Sequence, residues 1–448
     1  MTLEIARSDT GRPERRVESA GAIGGGEGAS PPSGEPPAPP SRESLQGLDW
    51  FTFFLANAQT GFGPFIAVYL TAQAWTQVDI GLVLTIGGLA ALLGQIPGGA
   101  IVDAARSERR IAVLAVASVS VSALMIAAWP SFASVTAAQI IHSAGSCILG
   151  PAIAAISLGL VGHAAVGERL GRNARFAAIG NGVAAAGMGA CGYFLSDRAV
   201  FYVTVLLGVP TILAILRIRE RDIDPVKAHG GVPHEAPRDP TAVMSAVLTR
   251  PLVVFAAAMV LFHLANAAML PLMGGILTRR SSDWATVLIA ACIVVPQIVV
   301  ALFSPAVGRR AQAWGRRPIL LLGFLALAIR GVLFAFVRDP VVLVAVQILD
   351  GITAAVMAVM VPLIIADVTR GTGHFNLAQG IVGTGVGIGA ALSTTFAGYL
   401  SDRFGGSVAF FALAATAAAG LALALIMMPE TRPGGDDPDA PETAPPRC

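Results

Sequence analysis

Charged side chains are scarce in this chain of 448 residues. Only 13% are Asp, Glu, Lys or Arg, against about 25% in a soluble domain. With 54% hydrophobic residues, a soluble fold could not cover its surface with polar groups, so the surrounding solvent reads as lipid. Lysine is all but absent: of the 30 basic residues every one is arginine except Lys227. The formal net charge of +2 excludes a strong pull toward nucleic acid. Cysteine is limited to Cys147, Cys191, Cys292 and Cys448 with no CxxC pair, which favours small packing residues over a metal or redox site. There is no P-loop, no HExxH and no GxSxG, so ATP-driven pumping and hydrolytic chemistry lack a motif. The chain is expected to be no enzyme and to carry no metal or cofactor.

Long apolar runs fill the middle of the sequence. A bilayer core of about 30 Å needs about 20 apolar residues as helix. Twelve such segments lie near 48–72, 78–102, 110–129, 131–162, 173–196, 199–217, 251–277, 284–307, 318–336, 340–368, 374–400 and 407–428. Lipid satisfies no open backbone, and the runs lack barrel-strand alternation, so helices are expected. Residues 1–47 and 429–448, rich in Gly, Pro, Ser and charge, read as disordered tails. No apolar core follows the first arginines, so the start does not read as a signal peptide.

Arginine placement sets the expected orientation. With both tails inside, the inner segments hold 24 basic residues and the outer loops 5, leaving Arg330 within a span. This bias predicts a multi-pass protein of the cytoplasmic membrane with both termini cytoplasmic.

Words recur half a chain apart. FFLANA at 53–58 returns as FHLANA at 262–267, and AQIIH at 138–142 as VQILD at 346–350. GYFLSDR at 192–198 returns as GYLSDR at 398–403, and Gly99 precedes a basic loop as Gly308 does, 209 positions on. Matches in one order at nearly one offset imply two homologous six-helix halves. The division reads as a first bundle over 48–217, a polar linker over 218–249 and a second bundle over 250–428. An even repeat keeps its orientation, and such parallel repeats enclose a site between them near the midplane.

Over roughly 48–428 the sequence resembles the major facilitator superfamily. The resemblance is carried by the loop after the second helix of each half, whose family pattern is Gly, three residues, Asp, Arg, any residue, Gly, Arg, Arg. The second half reads GRRAQAWGRR, matching at Gly308, Gly315, Arg316 and Arg317, with Gln312 and Ala313 in place of the acid and base. The first half matches at Gly99 and Asp103, and Arg109 and Arg110 arrive two residues late, after Arg106. The resemblance implies an all-α membrane protein of twelve transmembrane helices in two pseudo-symmetric six-helix bundles, with these loops acting as a cytoplasmic gate. Asp103 is expected to take the arginines as partners.

Ionisable residues inside spans point to function. Asp350 lies about ten residues into the tenth span and Arg330 about eight residues from the same end of the ninth. Joined by a short turn, they should meet as an ion pair, because either alone in lipid would cost several kcal/mol. An acid whose environment changes with conformation can load and release a proton. The arrangement is similar to that of proton-coupled sugar symporters, although Thr353 stands where a further carboxylate would be. Gln139 and His142 share a helix face, as do Gln347 and Asp350. With Asn57, Gln59, His263 and Asn266 they are expected to form a polar ring around the cavity, with Asn57 facing Asn266.

The expected function is secondary active transport of a small organic solute, proton-coupled and by alternating access. A cavity of Asn, Gln and His disfavours phosphorylated substrates. The glycine-rich fifth span (180–192) and its partner (380–398) suit sliding helices and lean toward export by antiport, though a Gly-Pro pair like that of drug antiporters stands in the fourth span, at Gly150 and Pro151. The alternatives are uptake symport of a sugar-like neutral solute and a non-transporting membrane sensor. Solute, protons and lipid are the expected partners, and the chain is expected to be monomeric.

Overall fold

The computed structural model describes residues 39–60, 64–231, 240–280, 285–337 and 339–432. Most of both expected tails, at 1–38 and 433–448, and part of the linker, at 232–239, lie outside the described residues.

In chain order the helices are α1 (Arg42–Thr60), α2 (Pro64–Ala72), α3 (Gln77–Asp103), α4 (Glu108–Ala128), α5 (Phe132–Phe194), α6 (Asp197–Leu216), α7 (Pro225–Ala228) and α8 (Pro240–Val247). They continue as α9 (Arg250–Asn266), α10 (Met269–Arg280), α11 (Ala285–Trp314), α12 (Arg316–Phe336), α13 (Pro340–Val368), α14 (Phe375–Phe404) and α15 (Gly406–Met427). The polar words between apolar runs are the caps that start them. Thr76, Ser107, Ser131 and Ser196 each accept a hydrogen bond from the backbone N–H three residues on, and Asp339 accepts from Val341 and Val342 N–H at 2.9 and 3.0 Å. Each cap satisfies a donor the helix leaves open. The first helix begins at Arg42, not at 48, and the expected linker is itself partly helical in α7 and α8.

Among the described residues ten helices are long and apolar enough to cross a membrane. One of these, α5, is 63 residues long and crosses twice. Gly162 has φ +68° inside it, and Asn173 Nδ2 donates to Ser157 Oγ at 2.7 Å. In an unbroken helix residues 16 apart would be about 24 Å apart, so the chain reverses between them. With α1 and α2 sharing the first crossing, the fold is two six-helix bundles. Each has its own apolar core, one around Leu48, Phe51 and Phe201, the other around Phe255, Phe324 and Phe410. Apolar side chains such as Leu93, Leu114 and Ile426 stay exposed, as a lipid-facing surface requires.

Contacts between the halves repeat the 209-residue offset. A Cβ on Gly99 of α3 would stand 2.1 Å from the Asn376 carbonyl of α14, and one on Gly308 of α11 would stand 2.2 Å from the Gly167 carbonyl of α5. Likewise Gly380 meets Gln95 O, at 2.3 Å, and Gly171 meets Ser304 O, at 2.5 Å. Moving each residue of one contact by 209 yields its mate. All four sit toward the ends that carry the arginine-rich loops, here called the basic face. A Cβ on Gly81 or Gly88, farther along α3, would meet nothing within 4 Å. The two halves are thus closed on each other at the basic face.

Candidate functional site

The ninth and tenth spans, α12 and α13, are antiparallel neighbours, which brings Arg330 and Asp350 into an ion pair. Arg330 is 1% exposed, while the Asp350 side chain keeps 24% exposure. Arg330 also donates to Asn266 Oδ1 of α9 at 2.9 Å, reaches Met269 Sδ at 3.3 Å, and lies over the Phe334 ring at 5.8 Å. One guanidinium therefore ties α12 to α9, α10 and α13 of the second half. The arginine is enclosed, while the carboxylate keeps residual access.

A cavity of about 380 Å³ lies between the halves. Its polar lining is Thr52, Gln59, Gln95, Asn173 and Gln379, set among Leu55, Pro151, Ile153 and Pro362. Among the described residues no ionisable side chain lines it. Gln95 lies eight residues, about 12 Å of helix, from the end of α3, so the cavity stands directly above the closed basic face.

The expected polar ring does not assemble around this cavity; of its members only Gln59 lines it. Asn57 is buried and donates to Phe53 O of its own helix at 3.1 Å, where Gly180 lets α5 press against α1. Asn266 is taken by Arg330, so the two asparagines do not face each other. Gln139 packs against Gly87 of α3, and the His142 ring meets Ser146 Oγ at 3.4 Å. His263 is half-buried with its ring edge-on to Phe262. Gln347 is wholly buried one turn from Asp350. The shared reason is rotation about the helix axis: helical spacing shows which residues share a face, not which neighbour that face meets. Among the described residues no cluster of His, Cys, Asp or Glu could hold a metal ion.

At the basic face Asp103 is buried, but its partner is not an arginine. It accepts from the N–H groups of Asn376 and Leu377 at 3.1 and 2.7 Å and from Asn376 Nδ2 at 2.8 Å. The carboxylate thus caps α14 of the opposite half, where the helix dipole favours negative charge. The arginines turn away within their own half. Arg109 and Arg110 stand 3.4 and 3.5 Å from Glu220, and Arg106 is exposed. The Ser107 hydroxyl, with Arg109 and Arg110, holds the Glu220 carboxyl below its ordinary value. In the second half Gly315, at φ +98°, opens α12. Arg316 pairs with buried Asp367 at 2.8 Å, and Glu430 accepts from the Arg316 and Arg317 N–H groups at 2.7 and 3.1 Å.

Sequence reasoning missed a second buried charge cluster. Asp49 of α1 is 2% exposed and pairs with Arg169 and, at 2.6 Å, with Arg172. Arg169 Nε donates to Asn173 Oδ1 at 2.8 Å, which links the cluster to the cavity wall. The signal was present: an acid inside the first apolar run, and two arginines three apart on one helix face.

Two bundles that exchange their contacts under one offset, closed at one end beneath a central cavity, define a membrane transporter. The family comparison agrees: the chain belongs to the Major Facilitator Superfamily, whose model matches residues 49–300 and 280–447. An uncharacterised MFS-type transporter of Mycobacterium tuberculosis (strain CDC 1551 / Oshkosh) is 41% identical over 390 residues, covering 86% of this chain and 93% of the relative. Among solved structures, the E. coli fucose:proton symporter FucP superimposes with TM-score 0.70 at 14% identity, over 85% of this chain and 97% of that one. The human organic anion transporter MFSD10 does so with TM-score 0.65 at 15% identity, over 86% and 100%. At these identities the structural likeness is one of fold.

Proposed function

We propose that this chain is a proton-coupled transporter of the cytoplasmic membrane that moves a small uncharged organic solute by alternating access. The observation that carries the reading is the Arg330–Asp350–Asn266 cluster. A buried arginine is expensive in a bilayer, and this one holds a single carboxylate that retains access. Protonation of Asp350 frees Arg330 to bind Asn266 alone, and the change in packing among α9, α12 and α13 gives the two protonation states different preferred conformations.

The solute site is the cavity beside Gln59, Gln95, Gln379 and Asn173. Amides and a hydroxyl without a charged group suit an uncharged hydrogen-bonding solute and give an ionic one no counter-charge. The positive-inside bias puts the basic face in the cytoplasm, so closure there corresponds to an outward-facing state. The glycine-lined contacts of α5 and α14 permit the halves to rock, and the direction favoured is export in exchange for protons.

The test is flux in proteoliposomes. A thermal-shift screen on the purified protein selects the solute. Its gradient-driven movement should collapse with an uncoupler, and Asp350→Asn should lose accumulation while keeping exchange. Full accumulation by that variant would remove Asp350 from the coupling. Accumulation that runs with the proton gradient rather than against it would assign uptake.

A further inference from the structure

The two halves differ on the helix that bears each seam glycine. After Gly308, α11 continues with Arg309 and Arg310; after Gly99, 209 positions earlier, α3 continues with Ala100 and Ile101. All four side chains are exposed. The second half therefore sets two charges where the first keeps an apolar surface.

Helical register places these charges on the membrane side. Positions seven apart differ by only about 20° around a helix. Arg309 thus lies beneath exposed Leu302, and Arg310 beneath exposed Phe303, about 10 Å closer to the basic face. The Arg310 guanidinium stands 5.0 Å from the centre of the Trp314 ring. Trp314 is the last residue of α11 and is itself exposed. A long side chain on a helix points back toward the N-terminus, so the indole reaches up over Arg310, to the level at which tryptophan anchors a helix in the membrane interface.

The carboxylates of this corner are committed elsewhere. Asp367 holds Arg316 at 2.8 Å, and Glu430 accepts from the N–H groups of Arg316, Arg317 and Arg432. Arg432 brings a further guanidinium to the end of α11, donating to Ala313 O at 2.9 Å. Among the described residues no carboxylate lies within 4.0 Å of the Arg309 or Arg310 guanidinium. In the first half, by contrast, Arg109 and Arg110 share Glu220. Two arginines at the foot of a lipid-facing stripe thus carry uncompensated charge, and an anionic headgroup is the partner that a bilayer offers there.

We propose that Arg309 and Arg310, backed by Trp314, bind an anionic phospholipid of the leaflet at the basic face. The arginines donate charge-assisted hydrogen bonds to the phosphate oxygens, and the acyl chains run along Leu302 and Phe303. A zwitterionic phospholipid offers the same phosphate, but its ammonium would meet arginines and no carboxylate. The site uses the membrane-spanning fold and not the transport cycle, so it stands or falls apart from proton-coupled flux.

Native mass spectrometry of the full chain in a non-ionic detergent tests it, by titration with dioleoylphosphatidylglycerol or dioleoylphosphatidylcholine at one salt concentration. Phosphatidylglycerol should bind more tightly. One basic side chain at an anionic membrane surface is worth about a fivefold gain. Arg309→Gln and Arg310→Gln should therefore each weaken phosphatidylglycerol about fivefold, and the double variant about thirtyfold. Arg106→Gln removes the same charge from an exposed position of the first half and should leave the affinity unchanged. Equal affinity for the two lipids, full retention of phosphatidylglycerol by the double variant, or an equal loss in Arg106→Gln overturns the site. Displacement of the lipid by an equal concentration of inorganic phosphate would mark a soluble-anion site and overturn it too.

Discussion

Replacing Gly99 with alanine places a methyl group 2.1 Å from the Asn376 carbonyl, where ordinary van der Waals contact begins near 3.4 Å. Both partners are backbone, so no side chain can swing away. The helices must separate by more than 1 Å at their closest point, which works against the overpacking limit of a well-packed core, about 1–3 kcal/mol. The strain exists only while the basic face is closed. The gain in helix propensity on replacing glycine, about 0.5–1 kcal/mol, is present in both conformations and cancels. The ratio of closed to open should therefore fall about 5- to 150-fold. Spin labels at Ala104 and Ala313, both exposed at the basic face and one in each half, report the change as a shift to longer distances in a double electron–electron resonance experiment. Gly88→Ala in the same helix, which meets nothing within 4 Å, should leave the distribution unchanged. Gly308→Ala should act like Gly99→Ala, because its contact is the pseudo-symmetric mate. A Gly99→Ala protein that closes as fully as wild type would refute the contact and the account of closure built on it.

Arg330→Ala leaves a carboxylate deep in the second half without its cation and should cost about 3–5 kcal/mol, read as lost thermal stability in detergent; adding Asp350→Asn should recover part of it. Asp49→Asn strands buried Arg169 and should destabilise on the same scale, whereas Arg172→Gln should cost about 0–1 kcal/mol, since that side chain is 54% exposed. Burial raises the Glu430 carboxyl, but the backbone N–H groups of Arg316, Arg432, Arg317 and Thr431 outweigh it and hold it below its ordinary 4.5. A depressed acid contributes stability above its unfolded value and loses it as pH falls through the lower folded one. Protection of the first turn of α12 against hydrogen exchange should thus fade on acidification below about pH 4.5, and Glu430→Gln should flatten that fade.

The sequence by itself determined the crossings, the doubling and the meeting of Arg330 with Asp350. These are properties of single helices or of two helices joined by a short turn, and 1.5 Å per residue converts position to depth. The start at Arg42 was hidden because its first turn is polar and carries no hydrophobic signal. Rotation of each helix about its axis was decided only in three dimensions. Asn57 and Asn266 share a repeated word, yet one bonds to its own backbone and the other to Arg330. Asp103 carries the motif, yet its partner is the dipole and N–H groups of a helix 273 residues away, which no side-chain pattern announces. Which face meets which neighbour is settled by packing among twelve crossings at once, and so the cavity belongs to Gln59, Gln95 and Gln379 rather than to the ring that spacing suggests.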